Sequence, residues 1–429
     1  MSPTRIVIVG GGVSGIDLAT RIGRSHGRHG RAAVTLIDMN LSHVWKPMLH
    51  TFAAGTARPD REQVDFLAQA KRNHFTFIPG GLGDIDREAR TVSITPLGHH
   101  DAAGPLPQPL RLSYDRLVLA VGSRADDFGT PGVAEHCLTI DGLEGAQALH
   151  ARLRQLALSA FGREEELDLA IVGGGATGVE LAAELKRAVD QLAAYGSPIL
   201  PSRFRLALIE SGPRLLPAFP DHVSKAAADT LRKLDVDVRL GARVTGANAA
   251  GLALDGGSRI EARIKIWAAG VRGPDALDRV EGLERSRTGQ LVVAASLRTT
   301  KDPAILALGD CASLLDPETG RPVPATAQAA AQEAQHLARH FDAWQGNGAA
   351  PPFRFRERGM IVSLADYNGW GTLGRVTFGG GHLKGLSARA AHALLYRQHQ
   401  FGLFGPMRGA LTWLVDGLDR LISPPVRLD

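Results

Sequence analysis

The feature that most constrains this chain is a supersecondary pattern that occurs twice. Arg5-Ile-Val-Ile-Val9 is a short β-branched apolar run, and Gly10-Gly-Gly12-Val-Ser-Gly15 follows it at once. Residues 16–24 have helical spacing, and Ala33-Val-Thr-Leu-Ile-Asp38 is a second apolar run ending in an acid. The order returns with Leu169-Ala-Ile-Val172, Gly173-Gly-Gly175-Ala-Thr-Gly178, the helical segment 179–185 and Phe204-Arg-Leu-Ala-Leu-Ile-Glu210. Apolar runs of this kind suit buried parallel strands. In such a unit the first glycine permits a tight turn. The second lets backbone N–H groups approach a pyrophosphate, and the third lets helix and strand pack closely. The helix N-terminus favours the phosphates, and the terminal acid binds ribose hydroxyls. The distances from Gly10 to Asp38 and from Gly173 to Glu210 exceed the usual ~20 residues, the second because of an excursion near 190–203. One GxGxxG is a weak signal; two, each between strand and helix and each with its acid, are a strong one.

Two dinucleotide sites in one chain imply a flavin and a nicotinamide. A carboxylate at Glu210 repels a 2′-phosphate and so favours NADH over NADPH, although Arg214 is close in sequence. The only cysteines are Cys137 and Cys311, in no CxxC pair, which excludes a redox dithiol, a four-cysteine zinc site, an iron–sulfur cluster and a secreted disulfide framework. No metal site is expected. Aromatic residues are 5%, too few for a nucleic-acid stacking platform, so no nucleic-acid partner is expected. The 429 residues suffice for two to three domains. No signal-peptide pattern opens the chain, and no apolar run approaches the ~18 residues of a membrane span. The net charge of +5 suits an anionic membrane surface, or merely solubility.

Three further apolar runs end at glycine: Leu117-Val-Leu-Ala-Val-Gly122-Ser123, Lys265-Ile-Trp-Ala-Ala-Gly270 and Ile305-Leu-Ala-Leu-Gly309-Asp310. With the two fingerprints they resemble the two-dinucleotide-domain flavoproteins. Within that superfamily, Pro324-Ala-Thr-Ala327-Gln328-Ala-Ala-Ala-Gln332-Glu333 is similar to the AQxAxQ quinone motif of type II, non-proton-pumping NADH:quinone oxidoreductases. His43-Val-Trp-Lys-Pro-Met-Leu-His50, Thr177-Gly-Val-Glu180, Glu210-Ser-Gly-Pro-Arg-Leu-Leu-Pro217 and Leu395-Tyr-Arg-Gln-His-Gln-Phe401 resemble that family too, so the likeness runs the length of the chain. Two positions depart from it. Ala331 stands where some relatives carry histidine, and Glu333 where a neutral residue is common in some.

The resemblance implies an α/β fold with two Rossmann-like domains and a C-terminal membrane-docking region. Its FAD contacts would be Gly10, Gly12, Gly15, Asp38, Lys46, Gly122, Asp310 and Ala327, with Asp310 at the ribityl chain. Its NADH contacts would be Gly173, Gly175, Gly178, Glu180, Glu210 and Gly270. Glu180 would act electrostatically or by positioning at the nicotinamide–flavin junction, against the plainer role of an acid at a helix N-terminus. Lys46 would stabilise reduced flavin, or is simply a solvated loop lysine. Gln328 and Gln332, at i and i+4, share a helix face and would hold a quinone carbonyl and a flavin edge. Lys384 would lie near the quinone, or face lipid headgroups.

Phe404, Met407, Leu411, Leu414, Val415, Leu418 and Leu421 recur at three- and four-residue steps after Gly405-Pro406, as in an amphipathic helix lying in a membrane interface. The same stripe would also suit packing on the protein body or a dimer partner. The expected organisation is an FAD domain from 1–160 and 285–350, an NADH domain over 165–280, and a C-terminal region over 351–429 that covers the flavin and docks on the membrane. The expected activity is non-electrogenic transfer of two electrons from NADH through FAD to a quinone. The family suggests a homodimer on the cytoplasmic face of a bacterial inner membrane. Sulfide:quinone oxidation needs reactive cysteines near the flavin, and only Cys137 and Cys311 exist. A soluble reductase of an electron carrier fits the apolar tail poorly. A slow FAD- and NADH-binding sensor remains the non-enzymatic alternative.

Overall fold

In a computed structural model of the chain, the structure describes residues 2–97, 109–160, 166–194, 200–346, 348–373, 376–379, 394 and 397–422. The chain forms two compact units. The first comprises Met1–Trp45, Glu62–Arg124 and Val271–Glu357; the second comprises Lys46–Arg61, Ala125–Gly270 and Arg358–Asp429. The first unit is thus drawn from three stretches rather than two. Lys46, expected beside FAD, is contributed by a segment of the second.

Each unit is built on a five-stranded parallel sheet with a fingerprint strand at its centre. In the first the order is Ile305–Ala307, Arg116–Leu119, Thr4–Val9, Ala32–Asp38 and Thr76–Pro79. In the second it is Leu138–Thr139, Ile264–Trp267, Leu167–Val172, Phe204–Glu210 and Val236–Leu240. The central strands are apolar because both faces are covered, and Ile6, Ile8, Ala170 and Ile171 are wholly buried. The apolar runs at 117–122, 265–270 and 305–309 therefore appear as strands beside or near the fingerprint strand, whose ends bring their glycines to the same edge. Helix Val13–Ser25 follows the first glycine turn and helix Ala176–Ala194 the second. Both are longer than the apolar spacing alone marks out.

The second unit also carries an antiparallel hairpin, Met360–Leu364 with Asn368–Leu373, and the C-terminal helix Pro406–Ile422. Pro406 opens this helix, where its missing N–H costs nothing. The helix is inverted relative to one packed on a core. Gly409 is buried and Thr412 and Asp416 are half-buried, whereas Met407, Leu411, Trp413, Leu414, Val415 and Leu418 are all more than half exposed. Helical residues 397–404 hold its polar side: Arg397 pairs with Asp416 and donates to Gln400 Oε1 at 2.6 Å. A Cβ on Gly409 would lie 2.5 Å from the Phe401 ring, so glycine there permits the close approach.

Candidate functional site

Each unit presents a glycine turn whose geometry follows from what it must admit. Gly10 has φ +103° and Gly173 φ +117°, a region open to glycine. A Cβ on Gly10 would sit 2.2 Å from Ala120 O, and one on Gly173 2.7 Å from Ala268 O. The third glycines are tighter still: a Cβ on Gly15 would be 1.8 Å from Gly10 O, and one on Gly178 2.0 Å from Gly173 O. The middle glycines differ. Gly12 and Gly175 face open space, with nothing within 4 Å of a Cβ. Helix Val13–Ser25 has no side-chain cap and no acid in its first turn, and helix Ala176–Ala194 also lacks a first-turn acid. Open space before a helix start without a first-turn acid is what a pyrophosphate requires, so both sites fit a dinucleotide.

The terminal acids are fixed by backbone. Asp38 Oδ2 accepts the Gly11 N–H at 2.6 Å, and its Oδ1 accepts the Asn40 N–H at 2.7 Å. Glu210 Oε2 accepts the Gly174 N–H at 2.7 Å, and its Oε1 accepts the Gly212 N–H at 2.6 Å. Arg214 is engaged elsewhere. It donates to the carbonyls of Phe219 and Pro217 and to Ser224, and lies 3.2 Å from Asp221. Arg214 is therefore committed to its own loop.

In the first unit Asp310 accepts from Ser123 Oγ at 2.7 Å, beside Gly122 at φ +74°. Its carbonyl accepts from Gln290 Nε2 at 2.7 Å. Ala327 starts helix Ala327–Arg339, with Thr326 as N-cap accepting the Ala329 N–H. Gln328 is half-buried on that helix. Gln332 is one turn on from Gln328 on the same helix, and its amide is used at both ends by one residue, donating to Arg356 O at 2.8 Å and accepting the Arg356 N–H at 3.1 Å. That makes it a tie to the backbone at 356 rather than an open amide. Sequence reasoning missed the role of Glu333. Its buried carboxylate accepts the Gly309 N–H at 2.6 Å and so holds the turn before Asp310. Burial pushes its pKa up to about 8 against that bond. Cys311 is wholly buried, its thiol pushed up to about 12 by desolvation, which makes it an inert packing residue. Cys137 is raised to about 11 by the same cause.

In the second unit Glu180 is buried on the first turns of its helix. It accepts the Ser363 N–H at 3.0 Å, and its other oxygen lies 3.7 Å from His50 Nδ1. Desolvation raises its pKa to about 8, with the neighbouring Glu184 adding to the rise. One turn on, Glu184 is also buried and raised, chiefly by desolvation, against Arg187 and a 2.7 Å bond from Thr56 Oγ1. Glu184, Thr56 and His50 were invisible as site residues in the sequence. The available signal was two acids set at i and i+4 inside the apolar run Val179-Glu-Leu-Ala-Ala-Glu-Leu185. Gly270, at φ +71°, abuts Asp126 and Phe128. Lys46 is half-buried on the short turn Lys46–Met48. Lys384 lies outside the described residues, as does Leu395. Among the described residues no cluster of His, Cys, Asp and Glu could hold a metal.

Two parallel-sheet units, each with a complete glycine turn and an acid clamped at its strand end, define the fold class of the two-dinucleotide oxidoreductases. Residues 4–334 match the pyridine nucleotide-disulphide oxidoreductase family. A type II NADH:quinone oxidoreductase of Haemophilus influenzae is 38% identical over 99% of both chains. The chain therefore belongs to the pyridine nucleotide-disulphide oxidoreductase family and, within it, to the type II NADH:quinone oxidoreductases. Among solved structures, NDH2 from Plasmodium falciparum in complex with NADH is 16% identical over 99% of both chains, with a TM-score of 0.85. The sulfide:quinone oxidoreductase of Aquifex aeolicus is 17% identical, covering 98% of this chain and 95% of its own, with a TM-score of 0.72. At such identities these two likenesses concern the fold.

Proposed function

We infer that this chain transfers two electrons from NADH through FAD to a quinone without pumping protons. The observation that carries the reading is the pair of complete dinucleotide sites in a chain so closely related, end to end, to a type II enzyme. When bound, FAD supplies a carrier that accepts a hydride and returns two electrons. In the proposed assignment the first unit binds FAD. Gly10, Gly12 and Gly15 admit its pyrophosphate, Asp38 binds the ribose, and Asp310 with Gly122 and Ala327 lines the remainder. The second unit binds NADH through Gly173, Gly175, Gly178, Gly270 and Glu210. Glu180, held by the Ser363 N–H, positions the nicotinamide end as a carboxyl that stays largely neutral at pH 7. Lys46, Gln328 and Lys384 serve the flavin and quinone, and Gln332 supports them through Arg356.

The exposed apolar side of helix Pro406–Ile422 docks on a membrane surface, with the polar side held inward by Arg397. An apolar face turned to solvent is costly unless lipid covers it. No described helix is long and apolar enough to cross a membrane. A homodimer on the cytoplasmic face of a bacterial inner membrane completes the proposal. The sulfide reading gains nothing from Cys311, whose raised pKa leaves no nucleophilic thiolate.

The test follows NADH loss in the purified flavin-loaded protein, with and without a short-chain ubiquinone. Quinone-dependent turnover is expected. Flavin that NADH bleaches and quinone does not recolour would overturn the reading.

A further inference from the structure

Reduction of a quinone by NADH consumes a proton: NADH, quinone and H⁺ give NAD⁺ and quinol. The hydride carries two electrons and one proton, so the second O–H hydrogen comes from the medium in every turnover. A buried carboxyl serving this demand must be reprotonated from water. Glu180 is buried, and its own helix holds another buried carboxyl one turn away, at Glu184. Residues at i and i+4 are neighbours on one helix face. Two buried acids side by side are costly unless they share protons. The surroundings of Glu184 then lead outward. The half-buried Thr56 hydroxyl donates to it at 2.7 Å. Arg187 lies 3.6 Å from it and 3.5 Å from Asp366, an exposed acid on the hairpin turn.

We propose that Glu184 relays protons between solvent at Thr56 and the Glu180 carboxyl, renewing the proton that quinone reduction consumes. The inference rests on the reading of the chain as an NADH:quinone oxidoreductase. The transfer is balanced. Glu180 gives up its O–H proton and takes one from Glu184. Glu184 takes one from Thr56, whose oxygen accepts a proton from water as it gives one up. Arg187 does not shuttle. Its fixed charge permits Glu184 to ionise transiently, and it is shared with Asp366, which keeps Glu184 able to regain a proton. His50, 3.7 Å from Glu180, is the other titratable group facing the pair. The other raised carboxyls belong to the first unit: Asp17 is held by Arg21, and Glu333 by the Gly309 N–H beside Asp310.

The decisive comparison is Glu184→Gln against wild type and Glu184→Asp, all flavin-loaded. Flavin reduction by NADH takes up no proton from the medium and is expected within about twofold of wild type, since the relay is not engaged. Reoxidation by quinone is expected to slow at least about tenfold above neutral pH, the low side of the roughly 10²–10⁴-fold that positioned proton transfer contributes. Glu184→Asp recovers part of the loss. A second readout needs no turnover. In infrared pH titration of the resting protein, the protonated-carboxyl band of Glu180 shifts to lower pH in Glu184→Gln, because a like charge has gone. Wild-type reoxidation and an unmoved band in Glu184→Gln would overturn the relay alone. Equal slowing of both half-reactions with a lowered melting temperature would make Glu184 a structural residue and also overturn it. Failure of wild type to reduce quinone would overturn relay and function together.

Discussion

The two dinucleotide units repeat one another closely at the turn and diverge two residues beyond it. Each third glycine, Gly15 and Gly178, is followed at the second position by a buried acid, Asp17 in one helix and Glu180 in the other. Four residues further on, the first helix has Arg21, whose guanidinium donates to Asp17 at 2.8 Å. The second has Glu184. In the first helix Arg21 opposes the desolvation that raises Asp17; the second helix puts another buried acid at that position and sets its cation, Arg187, beside Glu184 instead. An i,i+4 acid–base pair offsets part of its own burial; in an i,i+4 pair of buried acids both pKa values are raised and the neutral forms favoured. The two units share the backbone geometry of the glycine turn and differ in the helical turn that follows it.

The sharpest way to break this comparison is to fill the third glycine in each copy. Gly15→Ala places a methyl group 1.8 Å from Gly10 O, and Gly178→Ala places one 2.0 Å from Gly173 O. Backbone cannot yield like a side chain, so each costs about 1–3 kcal/mol of overpacking or more. The Gly15→Ala protein is expected to purify without flavin absorbance. Gly178→Ala should keep its flavin and show a KM for NADH raised at least about tenfold, by the same strain. Loss of flavin in both proteins would mean that the units are not independent binding modules.

The second test separates the two acids by pH. A Glu180 carboxyl raised from about 4.5 to about 8 keeps its proton in the folded state where the unfolded chain releases it. Stability contributed by this group is therefore full below about pH 4.5, falls as pH rises to about 8, and is level above. The slope is about 1 kcal/mol per pH unit. Glu180→Gln removes it, so the melting temperature of the variant should gain on wild type between pH 5 and pH 8. Glu333→Gln should gain likewise, with the cost of a weaker hold on Gly309. Asp17→Asn should gain in the same direction but by less, since Arg21 and Arg24 oppose the desolvation that raises Asp17 and the variant loses that pairing. Parallel melting curves for wild type and Glu180→Gln would remove the distinction between the two helices.

What the sequence made legible follows from the range of each interaction. The glycine turns, Asp38 and Glu210 were readable because a turn and a strand end impose local rules on residue type. The C-terminal helix was readable from its stripe, and Pro406 from its place at the start. The engagement of the Gln332 amide was not legible because its partner, Arg356, lies on another segment. Glu184 was missed because its partner Thr56 is 128 residues away, and burial of a charge is decided by such packing. Glu333 was noticed only as an unusual residue. Its contact with Gly309 is short in sequence terms, yet it depends on how a helix end meets a strand end.

The smallest expected effect concerns the acids that the two copies share. Asp38 and Glu210 both bind the backbone of their own glycine turn, at 2.6 and 2.7 Å, so each shapes the turn in addition to the ribose role proposed for it. In the second unit this double duty limits how far cofactor choice can be changed. Glu210→Gln removes the charge that repels a 2′-phosphate, and its amide oxygen can still accept the Gly174 N–H. No cation replaces the charge, because Arg214 remains tied to Phe219, Pro217, Ser224 and Asp221. Relief of repulsion without a new attraction should raise the ratio of NADPH to NADH use about tenfold, far short of a reversal. Kinetics with both nucleotides check this, and freeing the arginine by Asp221→Ala in the same background should add little while the two carbonyls and Ser224 still hold it. A complete switch to NADPH in Glu210→Gln alone would show that Arg214 leaves its loop, and that the second copy is less rigid than the first.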